Sequence, residues 1–324
     1  KFMERKNLKD INTGIYFQSL QIKNAVESIK VDCEDLYSTS NLETLRFLFM
    51  FSQSVAAKFQ AVFGNNLALT TFPNFAFLTL KDYVKCSYPF SSKEAEITLY
   101  LLSVVWNVSD CSENFVKKLV DFPNFKEYIS VIIRKFDPAK EDEYKFIMAA
   151  INIVNNIVRR EKYRYTFDGY DLSDKIFTIL NMDQTNETCR LSFIFLVCFI
   201  FPLSDQNEYD KLIKRLIKNL SVFLDGVSNS DNFRYEGLSS IELLEMVKFS
   251  ATNQNVRAFY STSLTLKTTL IRFLCRNHQI DLVISIIDLL YSKITILELE
   301  NLYASKAEKL NTKVVEQFKK LQIK

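Results

Sequence analysis

Glycine and proline are scarce in this sequence, five of each in 324 residues, against average shares of about 7% and 5%. β-Sandwiches, barrels and phosphate-binding loops spend glycine on tight turns and close backbone approaches, so the sequence argues against all three. The phosphate-cradling patterns GxxxxGK[ST] and GxGxxG and the nucleophile elbow GxSxG are all missing. Histidine is rarer still. His278 is the single one, which rules out a histidine-rich metal centre within one chain, and Cys275 with His278 makes only half of a zinc-ligand set. The six cysteines (Cys33, Cys86, Cys111, Cys189, Cys198 and Cys275) contain no CxxC pair and read as free thiols of a reducing compartment. Neither charge sign dominates: 41 basic against 38 acidic residues leave a net charge of +3, which argues against a general nucleic-acid or membrane-surface binder. The longest apolar run, Leu191–Leu203, spans about 13 residues where a membrane crossing needs about 20, so it predicts a buried core helix. No apolar signal segment opens the chain, and the expected compartment is the cytoplasm or the nucleus. No catalytic residue, cofactor or metal is expected.

What the chain has in quantity is core-forming material: 48% hydrophobic and 14% aromatic residues, enough to bury a continuous interior. Helix-start signals recur along it. Ser40-x-x-Glu43 and Ser91-x-x-Glu94 are capping boxes, in which a serine hydroxyl and a glutamate satisfy orphan backbone N–H groups. Asp137-Pro138 puts proline where no N–H is needed, Thr185 opens a further segment, and Ser239-x-x-Glu242 is a third box. These starts are separated by about 46 to 54 residues, the period of helical-hairpin arrays. Phe72-Pro73-Asn74-Phe75 recurs as Phe122-Pro123-Asn124-Phe125, 50 residues on. Phe167-Asp168-Gly169-Tyr170 stands at the matching position of the third unit, while the fourth unit departs from the pattern, with its breaker early at Phe201-Pro202-Leu203-Ser204.

Apolar residues inside these segments step by three and four. Leu48, Phe51, Val55, Phe59 and Val62 do so, as do Ile97, Leu101, Val104, Val108 and Cys111, and Ile147, Ile151, Val154 and Val158. Leu99, Leu102 and Trp106 lie on other faces of the second helix, and Phe146, Ala150 and Ile157 on other faces of the third, as in helices covered on two sides. Trp106 is therefore expected in the core. Tyr209 to Leu224 instead carries one apolar stripe opposite charged residues, and Ile294 to Lys324 reads as a terminal amphipathic helix closing the core.

The period and the multi-helix unit resemble the armadillo and HEAT families of repeats. The resemblance implies an all-α, right-handed superhelical solenoid whose groove binds a macromolecular partner. Its implied layout is an N-terminal helical cap over 1–39, repeats over 40–260, and a C-terminal repeat with a capping helix over 261–324, sharing one continuous core. The expected function is that of a protein-interaction scaffold or regulator, with a GTPase, a chaperone or the actin machinery among the possible clients and no membrane span. The alternative is a nucleic-acid-binding repeat protein, which the near-neutral charge disfavours.

Two basic clusters are the candidate partner-binding residues. Arg159, Arg160, Lys162 and Arg164 are interleaved with Tyr163 and Tyr165, a combination suited to acidic peptide, phosphate or stacked bases. Lys211, Lys214, Arg215 and Lys218 lie opposite the apolar stripe of the Tyr209–Leu224 segment. Either cluster suits a protein partner with an acidic surface; the alternatives are that the first closes a helix C-terminus against its dipole with the tyrosines packed beneath, and that the second is a plain solvated face. The acidic groups at 32–35 and 141–143 read as helix-start carboxylates facing the helix dipole, and His278 as a solvated loop residue.

Overall fold

The structure, a computed structural model, describes residues 23–31, 35–54, 57–86, 88–201 and 206–323. Apart from one short hairpin, every regular element among them is helical, so the fold is all-α. The Phe201-Pro202-Leu203-Ser204 breaker after its first residue, Val55, the side chain of Phe59, and most of the 1–39 segment lie outside the described residues. The chain forms two compact units, residues 1–157 with 165–172, and residues 158–164 with 173–324.

Among its described residues the first unit holds a short helical stretch over 23–27, two helix triplets and one long helix. The first triplet is α1 (Thr39–Ser54), α2 (Ala57–Ala68) and α3 (Phe72–Cys86); the second is α4 (Lys93–Cys111), α5 (Glu113–Val120) and α6 (Phe125–Lys135). α7 (Glu141–Val158) follows, with all but its last residue in this unit. The triplets pack in register, α1 on α4, α2 on α5 and α3 on α6. Side-chain bonds between them join residues one period apart. Lys93 Nζ donates to Thr39 Oγ1 (2.8 Å), Asn107 Nδ2 to Ser52 Oγ (2.9 Å) and Ser112 Oγ to Asn65 Oδ1 (2.8 Å), at sequence separations of 54, 55 and 47. From α7, Asn156 Nδ2 reaches the Trp106 carbonyl (2.9 Å) and Ser109 Oγ (3.1 Å), 50 and 47 residues away.

The two Phe-Pro-Asn-Phe copies stand at corresponding helix starts. The first forms the opening turn of α3, whereas the second is a turn in which Asn124 adopts φ 66° before α6 begins at Phe125. Phe77 on α3, two residues past the first copy, stacks on Phe122 of the second at 4.9 Å, and Phe72 of the first stacks on Phe115 of α5 at 6.0 Å.

Three helix-start signals of this unit are displaced. Ser38, not Ser40, accepts the Asn41 N–H at the start of α1, and Ser92, not Ser91, caps α4. Asp137-Pro138 forms a turn whose Asp137 N–H donates to Glu143 Oε2 (2.6 Å), and α7 begins only at Glu141. Burial raises the Glu143 pKa, but that N–H and Lys140 outweigh it and the carboxyl lies below its ordinary value.

Leu101, Val104 and Val108 are fully buried, as predicted, but Trp106 is only half-buried. Its indole edges out of the α4 core while its backbone carbonyl serves Asn156. Of the stripe expected over 48–62, Leu48 is buried, and residues 55–56 lie outside the described ones. Val62 on α2 is exposed. In α7, by contrast, residues 149–158 are buried without interruption, as expected of a helix covered on two sides.

The second unit begins with α8 (Ser173–Leu180) and α9 (Glu187–Phe199), whose residues 191–198 are all buried. Asn186, one residue beyond Thr185, is the α9 cap; Thr185 instead donates to the Ile179 carbonyl. α10 (Gln206–Asn229) runs for 24 residues, with Leu212, Leu216, Ile217, Leu220, Phe223 and Leu224 buried along one face. A hairpin follows, β1 (Arg234–Tyr235) paired antiparallel with β2 (Leu238–Ser239). Its two turn residues, Glu236 and Gly237, both have positive φ, the tight turn that matches strand twist. Next come α11 (Ser240–Ser250), α12 (Gln254–Thr262), α13 (Leu264–Cys275), α14 (Ile280–Leu290), α15 (Lys293–Lys306) and α16 (Thr312–Ile323). Packing again skips along the chain, α10 on α13, α11 on α14, α13 on α15 and α14 on α16. Arg272 Nη1 meets Asp225 Oδ1 at 2.9 Å, 47 residues away. The C-terminal amphipathic segment is two helices, not one, and Leu297 and Leu310 are exposed.

Candidate functional site

The first basic cluster lies where α7 ends and the chain enters the second unit. Arg159 is 2% exposed and heads the fully buried side chains by volume. Its Nε donates to Glu245 Oε2 (2.8 Å), and its Nη1 stands 3.4 Å from Glu242 Oε1. The two carboxylates sit three residues apart on α11 and so project from one helix face. A guanidinium taken out of water loses several kcal/mol of hydration, on the order of what two aligned carboxylates return. Arg159 is thus not part of an exposed patch, contrary to the sequence-based expectation. The chain turns here into a short 3-10 helix, Glu161–Tyr163, that buries Tyr163. Arg164 lays its guanidinium 3.7 Å over the Phe249 ring of α11, with its Nε buried and unpartnered. Arg160 is half-buried, and Lys162 alone is exposed, its ammonium 5.3 Å from the Tyr163 ring centroid. Two of the four basic residues therefore serve α11.

The second cluster is where the sequence places it. On α10, Lys211, Lys214 and Lys218 are exposed and Arg215 is half-buried, opposite the apolar stripe. Lys211 pairs with Glu208 (2.6 Å), and Arg215 reaches Glu187 at 3.5 Å. Among the described residues Lys214 and Lys218 form no ion pair. Val222, one turn further along the same side, is 57% exposed. The result is a cationic ridge ending in an apolar residue. Within the first unit, a small aromatic-walled cavity lies between the C-terminal ends of α3 and α6.

His278 is not a solvated loop residue. Its ring stacks on Phe233 with centroids 3.5 Å apart and planes 2° from parallel, and its Nε2 lies 2.6 Å from Ser240 Oγ. The Arg276 guanidinium lies 4.0 Å from the same phenyl centroid, so histidine and arginine occupy opposite faces of one ring. Burial, then the Arg276 charge, lowers the His278 pKa to about 4, and the imidazole is neutral at pH 7. The Ser240–His278 distance is that of a nucleophile and its base. Ser240, however, is 2% exposed at the first turn of α11, where no acyl carbon can approach its Oγ. The pair is an element of packing.

Sequence reasoning missed Glu242 and Glu245 as the partners of Arg159. The signal was present, since Ser239 does cap α11 by accepting the Glu242 N–H, but the glutamate was assigned only its capping role. Among the described residues no group of three or more His, Cys, Asp or Glu side chains is placed to hold a metal ion, and no helix is long and apolar enough to cross a membrane.

No family model matches the chain. No curated protein matches it either. Among solved structures it is similar to the crystal structure of an engineered protein from the Northeast Structural Genomics Consortium, 10% identical over 94% of this chain and 95% of that one. The TM-score is 0.37, a likeness that carries no argument about architecture or function.

Proposed function

We propose that the protein is a non-catalytic scaffold or regulator, a right-handed solenoid of armadillo or HEAT type that binds an acidic protein surface. The observation that carries this reading is the α10 ridge, where Lys214 and Lys218 stand exposed and outside any ion pair among the described residues, with Lys211 and Arg215 beside them. Like charges at adjacent helical positions repel each other, and an acidic partner would relieve that repulsion. The in-register packing of the two triplets supports the repeat reading, because stacked units of this kind leave broad helical faces for partners.

The test compares capture from the native cell by the wild-type protein and by a Lys214→Glu/Lys218→Glu double variant. A partner retained by the first and lost by the second, with an association rate that falls as salt rises, is the expected result. Equal capture by both would reject the ridge as the binding surface. A gel shift with single- and double-stranded nucleic acid addresses the alternative reading, in which the same ridge contacts phosphates.

A further inference from the structure

We propose that Asp168 is a site of spontaneous covalent modification, at which the native protein converts aspartate to isoaspartate. The sequence holds two Asp-Gly pairs, Asp168-Gly169 and Asp225-Gly226, and the structure makes them unequal. Aspartate before glycine is open to this reaction because the missing side chain leaves the following amide nitrogen unshielded and its backbone able to turn. The Gly169 nitrogen attacks the Asp168 side-chain carbon Cγ. A C–N bond forms, a C–O bond breaks, and the N–H proton leaves with the carboxyl oxygen as water. Water then opens the resulting five-membered imide at the main-chain carbonyl, so that the backbone continues through Cβ and Cγ. The water lost on closure is regained, and no oxidant or second reactant is needed.

Closure requires the Asp168 backbone to rotate towards its own side chain, and the two pairs differ in what resists that rotation. Asp168 and Gly169 are both exposed. They are the central residues of the turn Phe167-Asp168-Gly169-Tyr170, closed by a bond from the Tyr170 N–H to the Phe167 carbonyl at 3.2 Å. Gly169 has φ 82°, and a Cβ built there would meet nothing within 4 Å, the geometry of a turn that takes glycine at its third position. The Asp168 carboxylate enters no hydrogen bond or ion pair among the described residues. Asp225 is placed oppositely. Its Oδ1 accepts from Arg272 Nη1 (2.9 Å) and its Oδ2 from Asn229 Nδ2 (3.3 Å). Gly226 lies inside α10, where its nitrogen belongs to the helical ladder, and a Cβ there would stand 2.7 Å from the Tyr235 ring. The turn can swing into the reactive geometry, whereas the helix holds its pair out of it. Neither the cationic ridge nor a partner is involved, so this chemistry is independent of the scaffold reading.

Storage of the full chain at neutral pH for several weeks, in buffer and in guanidinium chloride, followed by peptide mapping, tests the assignment. Isoaspartate is read from resistance to an endoprotease that cuts before aspartate and from its backbone fragments under electron transfer. Its mass equals that of aspartate, which separates it from deamidated asparagine. In buffer, isoaspartate should accumulate at position 168 and stay at its starting level at position 225. In denaturant, where neither helix nor turn persists, both positions should convert. Asp168→Glu, which would have to close a slower six-membered ring, should abolish the product at 168 and leave stability unchanged, because the carboxylate bonds no other described residue. Equal accumulation at both positions in buffer, or none at 168 in buffer, would overturn the proposal.

Discussion

Replacing Arg159 with methionine should destabilise the protein by about 3–5 kcal/mol, the usual cost of removing one member of a buried ion pair. Methionine keeps the length and much of the volume of the side chain, so the effect isolates the charge and its hydrogen bonds. Glu242 is 6% exposed and would be left as a buried carboxylate without its guanidinium, while Glu245, more open to water at 23% side-chain exposure, would recover part of its hydration. The larger share of the loss should therefore trace to Glu242. A double-mutant cycle tests this. Adding Glu242→Gln to Arg159→Met should restore about 1–2 kcal/mol, because a neutral amide tolerates burial better than a carboxylate that has lost its guanidinium. Three residues on, Lys162→Met removes an equal charge from an exposed site and should cost less than about 0.5 kcal/mol. Urea unfolding followed by circular dichroism reads the wild type, Arg159→Met, Glu242→Gln, their double variant and Lys162→Met. If Arg159→Met and Lys162→Met lose the same small amount, Arg159 is solvated and the α11 pairing described here is wrong.

Two further outcomes follow from the packing and the titration of named groups. A Cβ added at Gly64 would lie 2.5 Å from Ser112 Cβ and 3.1 Å from Val108 Cγ1. Ser112 Cβ is fixed by the backbone and cannot rotate aside, so Gly64→Ala should destabilise by about 1–2 kcal/mol after the gain in helix propensity of about 1 kcal/mol is deducted; a raised urea midpoint would mean that α2 does not approach the α4–α5 junction closely. His278, held neutral with a pKa lowered from 6.5 to about 4, gives the opposite sign to a salt-bridged histidine. Between those values the unfolded chain binds the extra proton, so this contribution is complete above pH 6.5 and is lost as the pH falls towards 4. The interval corresponds to roughly 3 kcal/mol, cut to about 2 kcal/mol by solvent access to the half-buried ring. His278→Gln should flatten stability across that window, and an unchanged pH profile would refute the buried, neutral assignment.

Much of the fold was legible because helices announce themselves locally. The three- and four-residue stepping of Ile97, Leu101, Val104 and Val108 depends only on which side of one helix is covered, and all four are buried. The single stripe of α10 was read correctly for the same reason. Cap positions slipped by one or two residues where serines are adjacent, as at Ser91 and Ser92, since either hydroxyl can accept an orphan N–H and backbone geometry decides between them. Trp106 was misplaced because periodicity assigns a residue to a helix face without saying how far a neighbour covers that face. The β1–β2 hairpin escaped notice since its strands are two residues each, too short for any alternation to register. Its Glu236-Gly237 turn was the one available cue.

The candidate sites were less legible, and Arg159 shows the physical reason. A run of four basic residues in six looks the same in sequence whether it faces water or carboxylates from a helix more than 80 residues away. What separates the cases is a tertiary coincidence, Glu242 and Glu245 arriving on one face of α11 at the height of Arg159. Composition records the charges but not their pairing. His278 makes the same point with opposite chemistry: a polar stretch, Arg276-Asn277-His278-Gln279, reads as solvated, yet Phe233 arrives from the hairpin to stack on the imidazole and push its pKa down. On α10 no such coincidence intervenes for Lys214 and Lys218. An amphipathic helix with its apolar stripe committed to the core must turn its opposite side outward. That geometric necessity, which holds whatever the distant chain does, is why the α10 ridge survives as the candidate surface while half of the Arg159–Arg164 cluster is spent on α11.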